Sequence, residues 1–472
     1  MRAILILALL SSFVVGGQIL DAVSAASPLP AEDLRSITFT ATGRTFVLGQ
    51  SAGAADPWPP VTVRSYQAAI DYTKGAMRVE EVLAQVVPQP HGGSPAFEGE
   101  RRQVLCSLGG FAWNETLDQG GSSITSQPAA IAERTVWTWA AAPQGLTKLA
   151  NTAAARTRPR SGDLSLVVGG RYRVVVTLDR AGQITRARTS IPNDVLGDML
   201  LEVNYSDYRS FGSIAFPSHI VMRQGGHPVL DLAVTSVRTN EPVAIAVPDS
   251  VRTMVQAPVV QSTKLGDGIF WFTGSAEHSM AVDMGDHVVV IEAPGNEARS
   301  IAVIAEVKKL IPSKLIRYVV NTHVHFDHAG GLRTYVNEGA IVVTHPANQG
   351  FLEKAWKAPR TLEPDLLSRS GKKWVFRSVT DRLVLQGSNK RTIELHILRD
   401  NPHNHQILFA WLPSDSILFQ SDMLSAPANP TVLAFYDALK RLKIRPEHLV
   451  SGHGTRVSTM ATLDTIVANA KK

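Results

Sequence analysis

The 472-residue chain is long for a single domain, so two are expected. With 44% hydrophobic and 19% charged residues it has the composition of a globular protein with real cores, which excludes intrinsic disorder. Its net charge of +6 comes from scattered basic residues and not from a concentrated patch, which excludes a nucleic-acid groove.

The chain opens on Met1 and Arg2, a short positive start. Residues 4–15 are apolar and uncharged, small residues fill 22–27, and Pro28 follows. This is a secretory signal pattern with cleavage expected after Ala25 or Ala26, so residues 1–26 are expected to be removed and the protein to be periplasmic or secreted. The apolar run is well short of the ~20 residues that span a bilayer. No stable membrane anchor is expected after cleavage, and no cysteine near that point offers a lipid attachment.

Residues 30–250 read as a β-rich N-terminal domain. Residues 37–42 and 171–178 alternate in polarity, and 179–183 turn the second run into 184–188 as a hairpin. Residues 230–237 alternate again, and 146–155 are a helix candidate. A curved antiparallel sheet with a helix packed on it is the expected architecture. Residues 88–98 and 114–127, rich in Gly, Ser, Pro or polar side chains, are expected as loops. Cys106 is the only cysteine and lies in the apolar run 104–108, so it is read as a buried, inert thiol. One thiol permits neither an intramolecular disulfide nor a multi-cysteine zinc or iron–sulfur site.

Pro242, Pro248 and Pro258 mark a boundary between about 241 and 260. Beyond it, short apolar strands at 269–272, 288–291, 316–320 and 341–344 alternate with a helix at 302–310, and the pattern becomes that of a layered domain of strands and helices.

Nine of the 14 histidines fall after residue 320. His323, His325, Asp327 and His328 occupy six positions directly after the strand 316–320, where sheets of this kind place their chemistry. His323 and His325, two apart, project to one side of extended backbone. Asp327 and His328 come as the chain turns into a helix, and Gly330 and Gly331 allow close backbone approach. Further His and Asp residues stand at the ends of later apolar runs: His403 and His405 after 393–398, Asp422 after 416–420, and His453 after 449–451.

The order His-x-His-x-Asp-His, His, Asp, His resembles the metallo-β-lactamase superfamily of metallohydrolases, over residues 258–472. The resemblance implies an α+β chain whose C-terminal αββα sandwich follows the antiparallel β-rich part. It implies that His323, His325 and His403 hold one metal, that Asp327, His328 and His453 hold a second, and that Asp422 bridges them. His405 competes with His403 as a ligand, and His403 is preferred because it follows a Pro-containing turn directly. Thr322 is placed to support the ligands. Glu292 stands where the family usually has Asp at the end of an early strand. Imidazoles and carboxylates without thiolate suit two zinc ions, with iron or manganese as alternatives.

The implied activity is that of an exported dinuclear zinc hydrolase acting on a small-molecule ester, thioester, lactone or amide. In that reaction a metal-bridging hydroxide attacks the carbonyl, and Asp327 orients it or moves its proton. Asp422 argues against the β-lactamases that carry Cys at this position. His325 argues against the flavodiiron branch, which places Glu there. Two alternatives remain: an iron-dependent persulfide-dioxygenase-like oxidoreductase, and a ligand carrier whose metal domain is secondary. The second rests on the N-terminal strands around 205–208 and 214–217, which are weakly similar to the half-barrels of periplasmic lipoprotein carriers.

Overall fold

The computed structural model describes residues 33–470 apart from 90, 94–96, 98, 119–120, 152–155, 158–162 and 255–256. The expected signal segment 1–26 therefore lies outside the described residues, as does the end of the helix candidate 146–155. Among the described residues no helix is long and apolar enough to cross a membrane.

Residues 36–239 supply a 13-stranded antiparallel sheet. Neighbours in sequence are neighbours in the sheet, except that the first strand, Ser36–Phe46, pairs with the last, His227–Thr239, while the consecutive strands Gly121–Ser126 and Arg156–Thr157 form the two opposite edges. The period-two alternation read from the sequence turns one face inward: Ile37, Phe39 and Ala41 are buried while Thr40 and Thr42 face outward less covered. Two helices cover that inner face, Ile131–Ala140 and Pro143–Ala150. Trp137 donates its indole N–H to the Tyr66 hydroxyl at 3.0 Å, and the Tyr205 hydroxyl donates to the Ala140 carbonyl at 2.6 Å. Burial without such partners would be costly for groups this polar.

Residues 114–127, expected as a loop, instead form the hairpin of Phe111–Asp118 and Gly121–Ser126. The polarity that suggested a loop belongs to an exposed edge strand, where no face needs apolar side chains. Cys106 is buried beside Val104, Trp113 and Val251, as the sequence implied, and burial pushes its thiol up to about 12.

Residues 261–451 build two further sheets, of seven and five strands. The central strands Val288–Ile291 and Ile316–Val320 pair in parallel. All four residues of Val288–Ile291 are buried, as a strand covered on both faces requires. Val289, Ile291, Val320 and Val343 meet Leu395, Leu408, Phe419 and Val450 between the two sheets. Each such side chain contributes about 1.5–3 kcal/mol by leaving water. Helices Glu297–Leu310, Leu332–Glu338 and Pro346–Trp356 cover one outer face, and Pro430–Leu442 with Met460–Asn469 covers the other. The layers run helix, sheet, sheet, helix.

The large sheet docks on this sandwich through specific polar contacts. Arg360 donates to the carbonyls of Asn193, Asp194 and Val195 at 3.2, 2.8 and 3.0 Å. Asp198 accepts from the Thr361 hydroxyl at 2.6 Å and from the N–H groups of Thr361 and Leu362 at 2.8 and 3.1 Å. A second seam lies beside the histidine cluster, where the His405 N–H reaches the Ala52 carbonyl at 2.7 Å and the Gly92 N–H reaches the Pro402 carbonyl at 2.8 Å.

Candidate metal centre

The loop after Ile316–Val320 is built to carry ligands. Asn321 is buried and braces the turn, donating its amide to the His323 carbonyl at 2.5 Å and accepting from Thr344 at 3.2 Å. The Thr322 N–H donates to Glu292 Oε1 at 2.7 Å. The short helix Phe326–Ala329 then starts with His325 at its N-cap. It sits so close to the preceding loop that a Cβ on Gly330 would lie 1.8 Å from the Gly295 carbonyl, and one on Gly331 2.0 Å from the Ser300 hydroxyl. Glycine is required at both positions by that approach.

Three overlapping groups of ligand atoms result, each within 4.8 Å: His323, His325 and His403; His323, His328 and Asp422; and Asp327, His328 and His453. Asp422 lies at their centre. Its Oδ2 is 3.1 Å from His328, 3.6 Å from His323 and 3.7 Å from His403, and its Oδ1 is 3.0 Å from His453, all measured to Nε2. Asp327 Oδ2 lies 3.4 Å from His328 and 3.9 Å from His453.

The tautomers are fixed from outside. His328 Nδ1 donates to Glu292 Oε2, so its Nε2 is the atom that faces the cluster. His325 Nε2 donates to the Ser51 carbonyl at 2.8 Å, leaving Nδ1 as the inner atom. The Thr322 hydroxyl donates to Ser421 at 2.9 Å and accepts from His323 Nδ1 at 2.9 Å, which turns the His323 Nε2 lone pair inward. Lone pairs and carboxylate oxygens thus face one another. His325 Nδ1 and Asp422 Oδ2 are buried without a well-formed hydrogen bond. Such a convergence of acceptors is satisfied by a cation, and the oxygen and imidazole donor set fits divalent metals such as zinc.

Electrostatics agree. Burial, together with the charges of His325 and His328, holds His323 well below the ordinary histidine range, and burial with His403 beside it pushes His325 down to about 3. Both are neutral imidazoles at neutral pH, as ligation needs. Burial also opposes charge on His328, yet the surrounding carboxylates of Asp422, Asp327 and Glu292 raise it well above its usual value. Burial would raise Asp422, but His328 and His403 hold it well below the carboxylate range. The cluster is a negatively biased pocket that favours positive charge.

Every ligand position named from the sequence lies in this cluster, and Thr322 supports it. His405 does not: its Nε2 faces Asp56 at 3.8 Å and its ring packs on His91. His345 caps the helix Pro346–Trp356 through the Ala347 N–H, His278 binds the Gly454 carbonyl, and His396 pairs with Glu394. The exposed His448 begins the strand His448–Ser451. Two contributors carried no signal in the sequence. Gln50 donates its amide to Asp327 Oδ1 at 2.7 Å, and Ser51 uses its backbone carbonyl. Both come from the loop after Ser36–Phe46, more than 270 positions from the residues they hold.

Residues 273–466 match the family model described as the Metallo-beta-lactamase superfamily. Among solved structures the chain is similar to the DIM-1 metallo-beta-lactamase, at 17% identity over 45% of this chain and 98% of that one, with a TM-score of 0.36. It is also similar to a metallo-beta-lactamase from Pontibacter korlensis, at 17% identity over 45% of this chain and all (100%) of that one, with a TM-score of 0.35. No curated protein matches. The large antiparallel sheet is thus followed by a domain that belongs, on its matched residues 273–466, to the metallo-β-lactamase superfamily.

Proposed function

We propose that the protein is a dinuclear metal-dependent hydrolase, with zinc as its metal, that cleaves a small-molecule ester, thioester, lactone or amide. The observation that carries this reading is the set of inward ring nitrogens of His323, His325 and His328 around Asp422, each turned inward by an outer hydrogen bond. His323, His325 and His403 would hold one ion, Asp327, His328 and His453 the other, with Asp422 between them. When bound, the pair would supply Lewis acidity and a water whose pKa is lowered toward ~7.

The chain's own residues do the rest. His323, His325 and His328 are sealed at 0% exposure, whereas Asp327 at 30% and His453 at 35% mark the side open to substrate. Gln50 occupies Asp327 Oδ1, so the carboxylate is fixed in rotation and its Oδ2 stays beside His328 and His453, where it would hold the second ion. Asp327 would also orient the attacking water or carry its proton. Glu292 and Thr322 keep His328 and His323 in their ligating tautomers.

Asp422→Ala tests the reading directly: a protein that keeps its fold and loses both metal and hydrolysis supports it, whereas wild-type turnover contradicts it. Export is part of the proposal and rests on the pattern of residues 1–27. N-terminal sequencing of the mature protein checks it; a start near Pro28 supports export, and an intact Met1 end contradicts it.

A further inference from the structure

A cavity of about 1060 Å³ lies where the large sheet meets the sandwich, bounded by the loop around Trp58, the turn at Leu196 and Met199, and the helix Pro346–Trp356. It is distinct from the metal cluster. None of the seven candidate ligands lines it, and it borders the cluster through Ser51, whose carbonyl holds His325, and through Val324 and Phe326 on either side of His325. Its wall is apolar, with Trp58, Leu196, Met199, Phe326 and Phe351 as the large side chains. Packed proteins leave few voids larger than a water molecule, and apolar cavities of this size at the junction of two units are characteristic of ligand sites.

Two polar features give the cavity a direction. At the inner end, His405 Nδ1 and Gln406 Oε1 are buried without a hydrogen-bond partner. At the rim, Lys354 is exposed and faces His227, and no carboxylate forms an ion pair with it among the described residues. Two carboxylates line the same cavity away from Lys354: Asp198 accepts three hydrogen bonds from residues 361–362, and Asp56 lies 3.8 Å from His405. An unneutralised ammonium over an apolar cavity selects a negative head group on an apolar tail.

We propose that this cavity binds an anionic amphiphile, a carboxylate carrying a long apolar tail, with the head group at Lys354 and the tail among Trp58, Met199 and Phe351. The site is independent of the hydrolytic reading, because it uses none of the candidate ligands.

The test is calorimetric titration of the full-length, metal-loaded protein with decanoate, alongside decanol and decyltrimethylammonium. Gly350 lines the cavity within a helix, and a Cβ built there meets nothing within 4 Å. Gly350→Trp therefore fills the space without breaking the helix, and Gly350→Leu does so with less bulk. Decanoate is expected to bind saturably and more tightly than the other two. Gly350→Trp should weaken it about tenfold or more, with Gly350→Leu intermediate. Lys354→Glu should abolish the preference for decanoate over decyltrimethylammonium. Metal content and hydrolysis should stay at wild-type levels in all three variants. No saturable binding to the wild type, undiminished binding in both Gly350 variants, or equal binding of the cationic amphiphile would each overturn the proposal.

Discussion

Gln50 shows what a single side chain from outside the sandwich adds to the centre. Its amide fixes Asp327 at 2.7 Å. Removing it leaves the carboxylate free to rotate, so Gln50→Ala should lower metal affinity about 10–100-fold, as loss of an outer partner does. Competition with a chelating dye measures this, and an unchanged affinity would show that Gln50 is a bystander. The candidate ligands are legible in the sequence because histidines and aspartates recur at the ends of apolar strands in one motif order. Gln50 and Ser51 were not legible, since an ordinary amide and a backbone carbonyl carry no pattern. Glu292 was noticed only as a departure from Asp. The structure shows the longer side chain reaching both the Thr322 N–H and His328 from a backbone with φ +71°.

At the scale of elements, the loop after Ser36–Phe46 joins sheet and centre. Gly49 has φ +72°, and a Cβ there would lie 2.2 Å from the Phe326 ring. Gly49→Ala should cost about 1–3 kcal/mol through backbone strain, measured by denaturant unfolding, and the clash with Phe326 should weaken metal binding as well. A neutral substitution would mean that the loop yields freely. Strands with clean alternation were readable, as were the buried apolar strands of the sandwich. The hairpin at 111–126 was not, because an edge strand exposed on both sides looks like a loop in composition.

Glu81, buried against Gln103 under the large sheet, gives a pH test at this scale. Burial raises its pKa above the usual glutamate value, against the pull of Gln103 and Arg134. The ionised form is therefore penalised in the folded state, and the stability present below the unfolded pKa is lost as pH rises through the folded one. Glu81→Gln should raise Tm at pH ~7.5 by a few degrees, and the gain should vanish near pH ~4. A gain of equal size at both pH values would show that the charge is not what matters.

For the whole molecule, residues 50–52 join the candidate metal centre to the docking of the two parts. A metal held at 100 times its Kd stabilises by about 2.7 kcal/mol. Chelation should therefore lower Tm by roughly 5–11 °C for a domain of this size. An unchanged Tm would mean that the acceptor cluster is satisfied without a cation. The reach of the large sheet into the centre could not be read from the sequence, because it depends on how the two parts pack and not on local pattern. The most direct test of the central claim joins metal analysis to turnover. The purified full-length protein should hold about two zinc ions per chain and hydrolyse at least one member of a panel of esters, thioesters, lactones and β-lactams, and His323→Ala should abolish both. A single tightly held iron with oxygen consumption, or turnover that survives His323→Ala, would contradict it.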